Sequence, residues 1–111
     1  MCGIFGKWIE KSREKRATRQ RRAEQLWLRI GYVNLSRAAP REMVGQQNLA
    51  QLPDWMWRNI REMVNPTQEI ITKFDNDTEY EYRFKPRRSD IFRQTFYVDI
   101  YRRPQRWRKL L

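Results

Sequence analysis

The chain has 111 residues, enough for one compact domain with extensions, and it carries a formal charge of +11 with eighteen arginines, six lysines and no histidine. The missing histidine removes the commonest general base, metal ligand and pH switch together, and a lone cysteine, Cys2, excludes an internal disulfide or a cysteine-cluster metal site. Fifteen aromatic side chains argue against a wholly disordered chain, and no apolar run approaches a membrane span.

Residues 4–30 predict one long helix. Ile4, Phe5, Trp8 and Ile9 open it, and Ala23, Leu26, Trp27 and Ile30 close it at helical spacing. Between them Lys11, Arg13, Lys15, Arg16, Arg19, Arg21 and Arg22 make seven cations in twelve residues with almost no apolar face. A helix polar all round bridges between partners or is held by them. Gly31 then fits a C-cap.

Residues 32–39 read as a connection. Pro40 is placed to start a short second helix that offers Met43, Val44, Leu49 and Leu52 for burial. Pro53-Asp54 opens a third over residues 55–64, with Met56, Ile60, Met63 and Val64 on one stripe and Pro66 ending it. The period then changes. Residues 79–85 alternate strictly, placing Tyr80, Tyr82 and Phe84 on one face and four charges on the other, the pattern of a half-buried antiparallel strand. Residues 69–74 predict a second strand, joined through the turn-forming Asp75-Asn-Asp-Thr78, and residues 95–101 a third. Pro104 is expected to stop that strand and leave 102–111 as a basic tail. The expected fold class is therefore α+β: a long basic N-terminal helix, two short helices and a small three-stranded antiparallel sheet, divided as a helical extension (1–31), a core (32–101) and a tail (102–111).

Met1-Cys-Gly-Ile-Phe-Gly6 resembles the opening of class II glutamine amidotransferases, and that resemblance implies Cys2 as a nucleophile acting with its own α-amine. It covers six residues. The segment that follows is a charged helix rather than a buried strand, and those enzymes need a far larger layered domain than this length supplies, so no catalytic residue is assigned. The Asp75–Glu79 stretch lacks the central glycine and distal glutamate of a calcium loop and reads as a hairpin turn. No cofactor is expected, and the chain is read as a non-enzyme.

Charge is polarised along the chain. Residues 1–30 hold nine basic and three acidic groups, residues 31–82 five and eight, and residues 83–111 ten and two. Guanidinium forks suit phosphate better than ammonium groups do. The expected RNA contacts are thus the seven cations of 11–22, then Lys85, Arg87 and Arg88, then Arg102, Arg103, Arg106, Arg108 and Lys109, with Trp107 available to stack on an unpaired base or to pack on the protein itself. No sequence-reading RNA module is present. A small core with arginine-rich ends resembles ribosomal proteins in composition and layout. The expectation is a structural, rRNA-binding component of a ribonucleoprotein with neighbouring proteins around it, most simply a mitochondrial ribosomal protein in the matrix. An accessory subunit of a respiratory complex is the alternative.

Overall fold

The computed structural model describes residues 4–39, 42–64, 66–87 and 92–111, with the backbone alone described for residues 4–11 and Arg61. The described elements are α1 (Ile4–Gln25), β1 (Leu28–Ser36), β2 (Met43–Asn48), α2 (Asp54–Met63), β3 (Ile70–Thr72), β4 (Tyr80–Pro86), β5 (Thr95–Pro104) and a short 3-10 helix, Trp107–Leu110. All five strands form one antiparallel sheet in the order β2-β1-β5-β4-β3. The class is α+β, but the expected architecture is overturned: the sheet has five strands rather than three, and one short α-helix stands where two were expected.

The two extra strands come from segments whose alternation is interrupted. β1 pairs with β5 across its whole length, but the register slips between Arg29 and Gly31. That bulge places Ile30 and Gly31 in succession before Val33 and Leu35 resume the inward positions, so Ile30, Val33 and Leu35 are buried without a clean two-residue period. Gly31 is not a helix cap. α1 stops at Gln25, and a Cβ on Gly31 would lie 2.5 Å from the Gln47 carbonyl oxygen, so the close approach of β2 needs glycine there. β2 replaces the helix expected from Pro40, a residue that lies outside those described. Its side chains are mostly exposed, and pairing with β1 gives the β1 backbone the partners it needs. Leu52 enters the core from the loop that follows.

α2 packs on one sheet face. Met56 and Ile60, one turn apart, are fully buried against Val33, Leu35, Phe84, Phe96, Val98 and Ile100. Each such side chain contributes about 1.5–3 kcal/mol relative to exposure. Val64 closes the helix by donating its N–H to the Ile60 carbonyl at 3.0 Å. On the same side Phe74 packs edge-on to Trp55 and lies 5.4 Å from the Tyr82 ring.

The tail is not free. β5 runs on to Pro104, which pairs with Tyr80 beyond the end of β1, where a missing N–H costs no ladder bond on that side. Gln105 then donates its N–H to the Glu79 carbonyl and its side-chain amide to the Asp77 and Tyr80 carbonyls. The boundaries expected at 31 and 101 fall inside β1 and β5. α1, by contrast, projects. The radius of gyration is 18.4 Å and the long dimension 60 Å, against about 13 Å expected for a compact chain near this length. Among the described residues no helix is long and apolar enough to cross a membrane.

Candidate nucleic-acid interface

One side chain joins the two chain ends. The Arg103 guanidinium carbon sits 4.1 Å from the ring centre of Trp27 and 4.1 Å from that of Trp107. Its Nε donates to the buried Glu81 carboxylate, and its Nη1 reaches the Ala23 carbonyl at 3.5 Å. Trp27 follows α1, Glu81 lies on β4, and Trp107 opens the 3-10 helix. A guanidinium held between indoles and a carboxylate fastens α1 and the tail to the same corner of the sheet. Arg83 reinforces the corner through Glu24 at the end of α1 and Glu69 before β3.

This fastening creates a groove of about 400 Å3 lined by Arg19, Gln20 and Ala23 of α1 and by Trp107, Arg108 and Leu111. Two basic segments more than eighty residues apart in sequence thus share one cleft. Arg19 and Arg108 of its lining are exposed, as are Arg22, Arg106 and Lys109, which adjoin the lining residues along the chain, and among the described residues none of the five belongs to an ion pair. Arg13, Lys15, Arg16 and Arg21 continue the exposed basic surface along α1. Lys11 lies in α1 by its backbone, and Arg88 lies outside the described residues.

The other expected contacts fall elsewhere. Arg102 turns to the helix side of the sheet and covers the Tyr80 ring at 4.4 Å. Arg103 is engaged in the corner already described. Lys85 and Arg87 lie on the open face of the sheet, opposite α2, with a set of residues that no sequence pattern singles out. Asp99 accepts from Arg87 through both oxygens, at 2.8 and 2.7 Å, and from Arg29 at 3.0 Å. Arg87 also lies 5.2 Å from the ring centres of both Tyr32 and Tyr97, and Arg29 lies 5.6 Å from Tyr32. Burial pushes the Asp99 carboxyl up, but the two guanidiniums outweigh it and hold the group below the ordinary aspartate value. The signal for this cluster is the β1–β5 register, which sets Tyr32 opposite Asp99; no sequence spacing reveals it.

The turn before β4 is occupied by its own side chains. Asp77 accepts from the Glu79 and Tyr80 amides at 2.9 and 3.1 Å and from the Tyr82 hydroxyl. Burial raises the Asp77 carboxyl, and these donors bring it below its usual value; burial and the Asp77 contact push the Tyr82 hydroxyl up. Cys2 and the rest of the amidotransferase-like opening up to Gly3 lie outside the described residues. No protein-family model, curated protein or solved structure matches the chain.

Proposed function

We propose that the protein is a non-catalytic, RNA-binding structural component of a ribonucleoprotein assembly. One observation carries the reading: Arg19 and Arg108, exposed and without an ion-pair partner among the described residues, line one groove between α1 and the tail, and the exposed Arg22, Arg106 and Lys109 adjoin the lining residues along the chain. Unpaired cations close together raise each other's energy, and a polyanion that releases its own counterions relieves that cost. Arg19 and Arg108 flank the cleft as phosphate donors, and the projecting α1 extends the same charge outward as a strip for a folded RNA. Within this class the arginine-rich ends around a small core favour a mitochondrial ribosomal protein bound to rRNA in the matrix, contacting neighbouring proteins through the remaining surface.

The test is RNA affinity across a salt series. Deleting residues 102–111 would remove the end of β5, so substitutions are the cleaner change. Arg106→Gln, Arg108→Gln and Lys109→Gln combined should flatten the log affinity versus log salt slope by about 0.7 for each phosphate no longer neutralised on a single strand, or about 0.9 on a duplex. An unchanged slope removes the groove from the RNA site. In cells, co-sedimentation with ribosomal particles should be lost on ribonuclease treatment. Migration with inner-membrane complexes, insensitive to ribonuclease, would support the respiratory-subunit alternative instead.

A further inference from the structure

The open sheet face carries charge of a different kind from the groove. Arg29 and Arg87 converge on one carboxylate, Asp99, and the Lys85 position lies across from Asp99 in the β4–β5 register. Among the described residues, then, two cations pair with one anion and a third lies opposite it in register, leaving two positive charges in excess. The depth order matters: the Asp99 side chain is 13% exposed, whereas Arg29 and Arg87 are 38% and 41% exposed. The carboxylate lies beneath and the guanidiniums face outward, each braced against tyrosine rings that limit its rotamers. Arg87 uses Nε and Nη2 on Asp99, and Arg29 does the same. Among the described residues no partner takes the donors on the Nη1 side of either fork, which suit a ligand. A simple ion pair neutralises itself. This cluster does not, and its forks are held in place before anything binds.

We propose that Arg29, Arg87 and Lys85, gathered over Asp99 on the open sheet face, form a second phosphate site that takes the backbone of an unpaired RNA strand. The proposal rests on the RNA-binding reading above and adds a separate surface to it. A phosphodiester seats between the two forks, Lys85 adds a third cation, and an adjoining base stacks on the guanidinium plane that already covers Tyr32 and Tyr97. A paired base has no open π-face to offer, which selects single-stranded over duplex RNA.

The full-length protein is titrated with a fluorescent single-stranded RNA of ten nucleotides and with a blunt RNA duplex, each over a salt series, and circular dichroism checks folding of every variant. Lys85→Gln and Arg87→Gln should each flatten the single-strand salt slope by about 0.7. Arg87→Lys keeps the charge and loses the planar fork. It should leave the slope unchanged while weakening single-strand binding between about five- and 150-fold, the range for removal of one base stack, with little change for duplex. Folded Arg87→Gln with wild-type slope and affinity would make the cluster a structural ion pair only and overturn the proposal. Where Arg87→Gln does not fold, Lys85→Gln decides alone, because Lys85 is exposed and outside the ion-pair network among the described residues; a wild-type slope there overturns the proposal too. Loss of slope on Arg108→Gln, with none on the sheet variants, overturns this site and leaves the groove reading standing. Failure of the unmodified protein to bind either RNA removes both.

Discussion

Glu81 shows how context overrides a sequence pattern at a single residue. By alternation it belongs to the charged, solvated face of β4, yet it is 6% exposed because Arg103, Trp27 and the end of α1 close over that face. Glu81→Lys would set a buried cation against Arg103, and breaking a buried pair costs about 3–5 kcal/mol. The expected outcome is a large drop in the urea midpoint, whereas Glu79→Lys, two residues away and exposed, should change stability by no more than about 0.5 kcal/mol. Equal effects would show that the corner does not exclude water. Asp77 and Asp99 give a pH prediction. Both carboxyls are held below the ordinary aspartate value, so between the folded and unfolded values the unfolded chain binds more protons than the native one. Stability from these groups is complete above the unfolded value and is lost as pH falls through the depressed folded values. Asp99→Asn should therefore shrink the fall in denaturation midpoint between neutral and strongly acidic pH; an acid limb identical to wild type would contradict the Arg29–Asp99–Arg87 contacts.

At the level of elements, the two glycines of the β1–β2 hairpin separate close approach from mere presence. Gly31→Ala would press a Cβ onto the Gln47 carbonyl at 2.5 Å, a backbone atom that cannot swing away, whereas the nearest atom to a Cβ on Gly45 is 3.9 Å away. Gly31→Ala should destabilise markedly and loosen β2, and Gly45→Ala should be neutral or slightly stabilising. Thermal midpoints of the two variants decide the matter, and similar values would mean that the bulge register is different. The opposite face depends on α2. Met56→Ala empties a fully buried position under the helix and should cost about 2–5 kcal/mol, read from the denaturant midpoint at unchanged slope.

Across the molecule as a unit, stability is divided unevenly. β5 is bonded on both sides and supplies Phe96, Val98 and Ile100 to the core, while α1 projects with exposed side chains over most of 12–25. Native-state hydrogen exchange should be slowest in β5 and fast over residues 12–18, whose side chains are exposed apart from the half-buried Ala17. Protection of that part of α1 equal to β5 would require a second contact for the helix. On the RNA-binding reading proposed above, saturating RNA should slow exchange there, because phosphate contacts along the exposed strip would order the helix.

Features controlled by local pattern were legible in the chain before any packing was known. The stripe of Met56 and Ile60 after Pro53 placed α2, the alternation of Tyr80, Tyr82 and Phe84 marked β4 and its inward face, and the charge count located the basic ends. β1 was hidden, because a bulge at Ile30–Gly31 breaks the period that identifies a strand. β2 was hidden too, an edge strand with few buried side chains to impose a period. Which cations remain unpaired is a matter of three-dimensional packing. Arg103 and Arg108 stand five residues apart in one basic run, yet the first is enclosed between two indoles and Glu81 while the second lines an open groove. That difference depends on strand order and register, which bring Trp27, Glu81 and Trp107 to one corner from three distant segments, and no residue spacing along the chain encodes it.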